Sequence, residues 1–399
     1  MNAKIVIIGA GPAGLACAER LTELGFDDIS IYEQKPSAAR KFLMAGKTGL
    51  NISHNEPFEQ FIARYDHNDW LSPMIKTFDA QAIREWMQGL GIQSYVGSSG
   101  RIFPKEMKAA PLLRAWLKRL QQRGIRFHYR HQVTALTQHK LSGIDLNTQQ
   151  AWVTTFDVVV LACGGVSWPQ LGSDGLWQGW INDTQLNPFQ GSNVGVCQSW
   201  STYMQAYFGQ PLKRIKAWTC NQQAQFGEMV ISHYGLEGGL VYRCNRGLRR
   251  QLQDNAVATL FLDLLPDVDV LELEDKLSLG KKQSLNTRWQ KAGLDKTKIA
   301  LLREIVCKQD WTNPKKMAWH IKQLTLNVHD FRPITEAISC AGGIRLDALD
   351  QYLRIKTHQN WFACGEMLDW DAPTGGYLLT ACLATGRWVG EGVSTYLCK

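Results

Sequence analysis

The chain opens with the stretch KIVIIGAGPAG, residues 4–14, and this stretch decides the fold class. Residues 4–8 are apolar and rich in β-branched side chains, as expected of a buried strand. Pro12 then opens a helical pattern that ends at Gly25. A second apolar run at 29–32 completes a strand–helix–strand unit, which predicts an α/β domain built on a parallel sheet.

The glycines of this stretch have the spacing of a turn that holds the phosphates of a dinucleotide. Gly9 permits the sharp turn out of the strand, Gly11 lets a pyrophosphate approach the backbone, and Gly14 lets helix and strand pack closely. The first N–H groups of the helix add partial positive charge. Glu33 ends the second strand, where a carboxylate accepts hydrogen bonds from ribose hydroxyls and disfavours a 2′-phosphate. The pattern predicts FAD or NAD rather than NADP.

A second segment near the other end favours FAD. The apolar strand and acid of WFACGEMLD, residues 361–369, are followed by PTGGY at 373–377, which opens another helical pattern. A single NAD site does not require such a return of the chain, whereas a cofactor with a ribityl chain and an isoalloxazine ring does. An ordinary strand and turn with an acidic surface residue is the alternative interpretation. A third apolar strand, VVVLACGG at 158–165, ends in small residues that would let the backbone approach the cofactor.

One further segment, RKFLMAGKTGLN at residues 40–51, resembles a characteristic loop of the YhiN/BaiN-like flavoproteins. This family is described as NAD(P)/FAD-dependent oxidoreductases and includes aminoacetone oxidase-type enzymes. Other segments that are similar to blocks of the same family are SSGRIFP (98–104), GGVSWP (164–169), GSDG (172–175), AGG (341–343) and CGEMLD (364–369). Because these segments span nearly the whole chain, the chain is identified as similar to the family over its full length.

The resemblance implies an α/β fold, a glutathione-reductase-type FAD-binding Rossmann-like domain with an inserted β-rich subdomain and a helical subdomain. The boundaries expected from the sequence are residues 1–190 plus 325–399 for the FAD domain, 191–267 for the β-rich subdomain and 268–324 for the helical subdomain. The 40–51 loop would lie along the cofactor, with Lys41 and Asn51 in contact with it; a solvated surface lysine is the alternative for Lys41.

Two departures from the family pattern mark a distinct branch. Many members carry Gly-Gly-Tyr-Asn-x-Gln at the last helix, where this chain has GGYLLT at residues 375–380. Many members also carry a Cys-Asn pair in the loop, where this chain has Gly49-Leu50-Asn51. Substrates of other branches therefore do not transfer to this chain.

The cofactor contacts predicted from these segments are small residues at the turns, acids after the strands and polar residues of the loop. They are Gly9, Gly11, Pro12, Ala13, Gly14, Glu33, Gln34, Arg40, Lys41, Asn51, Val133, Ala162, Gly164, Gly165, Gly365, Glu366, Asp369, Gly375, Gly376, Tyr377 and Leu378. Candidates for acid–base or substrate-binding roles are His54, Arg101 and Tyr377. For His54, a surface or capping histidine is the alternative.

The sequence lacks the motifs of several other kinds of redox site. Residues 36–60 contain no cysteine, which excludes the dithiol mechanism of related disulfide reductases. No second GxGxxG follows a strand, and the glycines at 235–239 look like a turn within the β-rich insert. The sequence leaves NAD(P)H and oxygen open as electron partners of a small-molecule substrate, and no metal-ligand spacing is apparent.

Composition places the chain among ordinary globular proteins, with 45% apolar and 20% charged residues. Its ten cysteines form no CxxC motif, and no apolar run is long enough to span a membrane. We therefore expect a cytoplasmic protein with reduced thiols and no membrane partner. The net charge of +8 is scattered, so we do not expect a nucleic-acid partner. An RNA-modifying flavoprotein and a flavin-binding protein without turnover are the alternative functions.

Local periodicity also predicts the main elements between these motifs. The expected elements are helices at 79–90, 108–123 and 375–393, strands at 156–162 and 361–364, mostly β structure at 190–265 and helical structure at 268–324.

Overall fold

The computed structural model describes residues 3–46, 49–220, 222–280 and 282–398. Lys47 and Thr48 of the 40–51 loop lie outside these residues. The strands in chain order are β1 (Ile5–Ile8), β2 (Ile29–Glu33), β3 (Ser53–His54), β4 (Ser94–Val96), β5 (Arg101–Pro104), β6 (Arg126–Tyr129), β7 (His131–Leu136), β8 (Lys140–Asp145), β9 (Ala151–Thr155), β10 (Val158–Leu161), β11 (Leu186–Ser192), β12 (Val196–Cys197), β13 (Pro211–Thr219), β14 (Gln225–Ser232), β15 (Gly235–Glu237), β16 (Ala258–Asp263), β17 (Leu324–Val328), β18 (Ser339–Ile344) and β19 (Trp361–Ala363).

The α-helices in chain order are α1 (Pro12–Glu23), α2 (Arg40–Ala45), α3 (Phe58–Ile62), α4 (Asn68–Thr77), α5 (Ala80–Gly89), α6 (Ala109–Gln122), α7 (Gly239–Asp254), α8 (Val270–Ser278), α9 (Leu285–Lys291), α10 (Lys296–Ile305), α11 (Pro314–Lys322) and α12 (Tyr377–Leu397). The chain divides into a first unit, residues 1–190 with 339–399, and a second unit, residues 191–338. No helix of the described ranges combines the length and apolar character needed to cross a membrane.

The first unit is organised around a parallel sheet of five strands in the order β19-β10-β1-β2-β6. Ile5 in β1 pairs with Val158 on one side and Ile29 on the other. The residues of β1 and β10 are all buried, because a parallel sheet covered on both faces leaves no polar side to its strands. The two ends of the sequence thus meet in one sheet.

Helix α1 packs against α12, which returns the end of the chain to the first turn. The approach is close, since a Cβ placed on Gly386 of α12 would lie 2.2 Å from the carbonyl oxygen of Ala13. On another side, the buried carboxylate of Glu19 accepts hydrogen bonds from Trp86 Nε1 at 2.8 Å and Trp116 Nε1 at 2.9 Å. Because an unpaired carboxylate in a core is costly, these bonds fix α5 and α6 on α1.

The first unit also contains two three-stranded antiparallel sheets. Strands β7, β8 and β9 form one, and β3, β5 and β4 form the other in that order. In the second of these, His54 of β3 pairs with Arg101 of β5. These sheets bring β3 next to α12, where the Thr380 hydroxyl lies 2.9 Å from the Ser53 hydroxyl.

The second unit contains a six-stranded antiparallel sheet in the order β12-β15-β14-β13-β16-β17 and helices α7 to α11. One core holds both, with Leu260 of β16, Leu273 of α8 and Leu301 of α10 all fully buried in it. The β-rich and helical regions expected as two subdomains therefore share one core. The unit also extends to residue 338 rather than 324, because β17 pairs with β16, Phe331 bridges to Val196 and the Ile338 N–H donates to the Asn193 carbonyl.

Helix α7 departs from the mostly β structure expected over 190–265, and that expectation is wrong for its 16 residues. Gly238 lies directly before the helix with a φ of 103°, so the glycines at 235–239 are not a turn between strands. Leu240, Cys244 and Leu248 recur every four residues on the buried face of the helix.

Candidate functional site

A cleft in the first unit lies at the carboxyl ends of the parallel strands. It is lined by residues that follow β1, β2, β10 and β19, and by the start of α2. The space not filled by protein atoms is about 1010 Å³, part of it open to solvent. In open α/β sheets this edge is where ligands bind, because the loops after neighbouring strands diverge there.

The glycine turn between β1 and α1 leaves a gap at one position and none at its neighbours. Gly9 has a φ of 104°, and a Cβ there would lie 2.3 Å from the Ala162 carbonyl oxygen. A Cβ on Gly14 would lie 2.1 Å from the Gly9 carbonyl oxygen. Around Gly11, in contrast, no atom of the described residues comes within 4 Å of an added Cβ. The turn is therefore closed against the sheet and open to the cleft.

Glu33 reaches this turn from the end of β2. Its carboxylate accepts hydrogen bonds from the backbone N–H of Ala10 at 3.0 Å and of Lys35 at 2.8 Å. Burial raises the pKa of Glu33 and outweighs the lowering effect of these two bonds. The next residue, Gln34, donates from Nε2 to the Gly172 carbonyl at 2.9 Å, which draws the 172–175 segment to the same end of the cleft.

An ion pair in the cleft wall joins the 40–51 loop to the segment after β19. Lys41 Nζ lies 2.7 Å from Glu366 Oε2 and 2.5 Å from the Ser167 hydroxyl. Glu366 Oε1 accepts a hydrogen bond from the Cys340 N–H at 3.2 Å. Burial acts to lower the pKa of Lys41, but the charge and hydrogen bond of Glu366 outweigh it, so the pKa is raised. Lys41 is thus a partly buried cation paired with Glu366 rather than a freely solvated one.

The cleft residues fit a dinucleotide such as FAD. The open space at Gly11 suits a pyrophosphate, and the N-terminus of α1 faces it without a capping side chain. The Nε atom of Arg40, a cleft residue, is buried and has no hydrogen-bond partner among the described residues. A buried donor without an acceptor destabilises a folded protein, and an anionic ligand would accept its hydrogen bond.

Thiols form part of the same wall. Cys163, Cys364 and Cys382 line the cleft, and Cys340 lies beside Glu366. Burial, followed by the nearby charge of Glu366, raises the pKa of Cys340 and of Cys382 to about 12. These cysteines are free, and a thiol held protonated in this way is a poor nucleophile and a poor metal ligand.

The structure gathers the following predicted cofactor contacts around the cleft: Gly9, Gly11, Pro12, Ala13, Glu33, Gln34, Arg40, Lys41, Val133, Ala162, Gly164, Gly365 and Glu366. The predicted contacts that do not line it are Gly14, Asn51, Gly165, Asp369, Gly375, Gly376, Tyr377 and Leu378. Gly165 has another use in the fold, since a Cβ there would lie 2.0 Å from Cys340 Sγ. Asn51 Oδ1 is buried and lacks a hydrogen-bond partner within the described part of the chain.

The candidates for acid–base roles lie away from this lining, and two of them lie together. The rings of His54 and Tyr377 stack with centroids 5.6 Å apart. Tyr377 donates to Glu56 Oε1 at 2.6 Å, a partner that the sequence interpretation missed. Arg101 pairs with His54 only through the backbone of β5, and its side chain is exposed.

Several cleft residues carried no signal that would have singled them out. Tyr32 lies inside β2, where four consecutive buried residues suggest only a core role, and its ring stacks on that of Trp152 of β9 with centroids 4.7 Å apart. Trp177 and Trp180 follow the GSDG segment, and Trp177 Nε1 donates to the Gly164 carbonyl at 2.9 Å. Their distance along the chain from the glycine turn hides the contact, because only the folded 164–180 segment brings them to the cleft.

Comparison with known proteins decides the family. The chain matches the HI0933-like protein Rossmann domain over residues 3–392. It belongs to the HI0933-like family. One similar protein is the 3-dehydro-bile acid delta(4,6)-reductase of Clostridium scindens, which is 24% identical over 98% of this chain and 99% of its own length.

Solved structures share the fold of this HI0933-like chain. The open conformation of a flavocytochrome c3 fumarate reductase matches 100% of this chain and 79% of its own with a TM-score of 0.52 and 12% identity. The 3-ketosteroid-delta4-(5alpha)-dehydrogenase of Rhodococcus jostii RHA1 matches 99% of this chain and 96% of its own, with a TM-score of 0.50 and 12% identity. The family match and the full-length relative confirm the predicted FAD cofactor and the oxidoreductase class, and the solved structures confirm the Rossmann-type fold.

Proposed function

We propose that this chain holds FAD in the first-unit cleft and reduces a carbon–carbon double bond conjugated to a carbonyl group in a small molecule. The single observation that carries the cofactor part is the open space at Gly11, in a turn whose Ala10 N–H bonds to the partly buried carboxylate of Glu33. The reaction class is supported by the full-length similarity to a reductase of a 3-dehydro-bile acid.

The cleft offers contacts for several polar parts of the cofactor. The pyrophosphate would face Gly11 and the N–H groups of α1, and the adenosine ribose would meet Glu33. Arg40 would supply a further donor to an anionic group through its unsatisfied Nε. When bound, FAD supplies two-electron redox chemistry that side chains lack.

The chain's own residues position and shield the reacting groups. Glu366, held by Lys41 and by the Cys340 N–H, is a fixed acceptor in the cleft wall, suited to a ribityl hydroxyl. The cysteines of the wall stay protonated and leave no dithiol to carry electrons, in line with the absence of cysteine from residues 36–60.

The electron donor and the substrate class are tested in one anaerobic experiment. The purified protein is mixed with NADH or NADPH, and bleaching of the oxidised flavin band identifies the donor. The reduced protein is then mixed with cyclohexenone or androstenedione under the same conditions. We expect the band to return, together with the saturated ketone.

Two results would contradict the proposal in different ways. Protein that folds correctly but neither contains nor takes up FAD would refute the cofactor site. Protein that carries FAD and is reoxidised only by oxygen would keep the site and refute the double-bond reaction.

A further inference from the structure

Two carboxylates of the cleft follow strands that are three positions apart in the parallel sheet. Glu33 ends β2, and Glu366 lies in the segment directly after β19, with β1 and β10 between these two strands. Because neighbouring strands lie about 4.8 Å apart, the ends of β2 and β19 are separated by about 14 Å. A ligand that meets Glu33 must therefore extend past β1 and β10 to reach Glu366.

The backbone next to Glu366 is held by other parts of the first unit. The Gly365 N–H donates to the Thr385 hydroxyl at 3.1 Å, and the Gly365 carbonyl accepts from Trp370 Nε1 at 3.0 Å. A Cβ placed on Gly365 would lie 2.8 Å from the Cβ of Ala13, in the first turn of α1. The backbone position of Glu366 is therefore fixed, whereas the direction of its side chain depends on the groups that bind the carboxylate.

Lys41 supplies the cation for that carboxylate. Its Nζ lies 2.7 Å from Glu366 Oε2, and 26% of the lysine side chain and 14% of the glutamate side chain are exposed. The other oxygen, Oε1, accepts the Cys340 N–H at 3.2 Å. Nζ also donates to the Ser167 hydroxyl at 2.5 Å, so one ammonium group joins the segments that follow β2, β10 and β19. Loss of the ammonium would remove the donor that fixes the direction of Oε2.

The hydrogen-bonding capacity of the pair leaves the acid, rather than the lysine, for a ligand. Each carboxylate oxygen has two lone pairs, so Glu366 can accept further hydrogen bonds from a group in the cleft. Two of the three ammonium hydrogens of Lys41 already bond to protein groups. Arg40 differs, because its buried Nε has no partner in the described part of the chain. Lys41 therefore holds a protein acid, whereas Arg40 has a donor available for an anion.

We propose that Lys41 is a positioning residue that makes the cleft selective for a dinucleotide long enough to reach Glu366, and that it acts through Glu366 without binding the ligand itself. This inference rests on the FAD site proposed above. ADP ends at the pyrophosphate and would meet only the glycine turn and Glu33, whereas the ribityl chain of FAD would extend to Glu366. Lys41 thus contributes to the affinity for FAD and not to the affinity for ADP.

The test compares the affinities of FAD and ADP for the full chain after removal of its flavin. Flavin fluorescence measures FAD binding, calorimetry measures ADP binding, and the rate of FAD release is followed from the yellow protein. The variants are Lys41→Met, Glu366→Gln and the double variant. Lys322→Met is the matched control, because Lys322 lies 2.8 Å from Asp263 with 21% and 12% of the two side chains exposed, and both residues belong to the second unit.

We expect Lys41→Met to weaken FAD binding by about 10- to 100-fold, the range for one hydrogen bond to a charged group, and to change ADP binding by less than about twofold. Glu366→Gln should weaken FAD binding to a similar extent. The double variant should lose no more FAD affinity than Glu366→Gln alone, because Lys41 acts through the acid. Gly11→Val should weaken both ligands, and Lys322→Met should weaken neither.

Each other outcome refutes a defined statement. Folded wild-type protein that binds neither FAD nor ADP refutes the cofactor site and the role of Lys41 with it. Wild-type protein that binds FAD normally, with a Lys41→Met variant of equal FAD affinity, refutes the role of Lys41 alone. Equal losses of FAD and ADP affinity in Lys41→Met would show that the ion pair serves only the stability of the cleft wall. Losses of FAD affinity that add in the double variant would show that Lys41 contacts FAD directly, and either result overturns the proposal.

Discussion

Two glycines occupy the same position relative to a helix. Gly11 is the residue directly before α1, and Gly376 is the residue directly before α12. A Cβ placed on Gly11 meets no described atom within 4 Å, whereas one on Gly376 would lie 2.5 Å from the backbone of Ser53. The first glycine leaves room for a ligand, and the second leaves room for β3. Glycine at a helix start therefore marks a close approach without saying whether a ligand or the protein fills the space.

The largest effect is expected from Gly376→Ala. Gly376 has a φ of 96°, and the added methyl would collide with Ser53, so backbone strain and overpacking combine to cost about 3–5 kcal/mol of unfolding free energy. Chemical denaturation of the wild type and of the Gly376→Ala variant measures this loss of unfolding free energy. Gly25→Ala is the control, because Gly25 has a φ of 88° with open space around it and should cost only about 1–2 kcal/mol. Equal losses of unfolding free energy in Gly376→Ala and Gly25→Ala would show that the contact with Ser53 adds nothing to the cost at Gly376.

Gly11→Val should act on FAD rather than on the fold. The side chain would occupy the space we assign to the pyrophosphate, and each lost hydrogen bond to a charged group is worth about 1.5–3 kcal/mol. We therefore expect FAD affinity to fall by roughly 100-fold or more, with an unchanged circular dichroism spectrum of the apoprotein. Gly11→Ala should give a smaller loss. A yellow Gly11→Val protein with normal affinity would contradict the assignment.

Lys41→Met tests the ion pair between the 40–51 loop and Glu366, which follows β19. It would leave Glu366 in the cleft wall without its cation, which we expect to lower the unfolding free energy by about 2 kcal/mol. The double variant Lys41→Met/Glu366→Gln should lose less than the sum of the single variants, because the charges interact directly. Additive losses would mean that the pair contributes nothing to stability.

The smallest effect is expected from Glu56→Gln and depends on pH. Burial acts to raise the pKa of Glu56, but the hydrogen bonds from Arg64 and Tyr377 outweigh it. Because the pKa of Glu56 is thus lowered from 4.5 in the folded protein, its stabilisation is present above that value and is lost as the pH falls through the lowered pKa. Wild type and variant should differ by about 1 kcal/mol near pH 7 and by less at a pH well below 4.5. Urea unfolding at both pH values measures this, and a constant difference would contradict the assignment of charge.

The parts of the fold that were predicted correctly depend on short-range patterns. The strand, glycine turn and helix of residues 4–24 are decided by neighbours in sequence, and the structure places β1, α1 and β2 there. The role of Glu33 could be proposed for the same reason. The end of the second unit at residue 338 could not, because it depends in part on pairing between β16 and β17, whose residues lie far apart in sequence.

Helix α7 and the contact of Glu56 with Tyr377 were not predicted, for two different reasons. Helix α7 has a helical spacing of buried residues, but its first residue is Gly239 and arginines interrupt its apolar face, so strand signals in the flanking segments dominated. At the site, Glu56 has no motif around it, and only the fold brings it to Tyr377, 321 residues along the chain. Side chains collected by tertiary structure leave no local mark in the sequence.

The protonated thiols of the cleft wall have a consequence for durability. Because burial raises the pKa of Cys340 and Cys382 to about 12, both remain protonated at neutral pH. Peroxides attack the thiolate form, so sulfenic acid should form very slowly at these positions. The cleft wall thereby keeps its four sulfur atoms with little risk of oxidation.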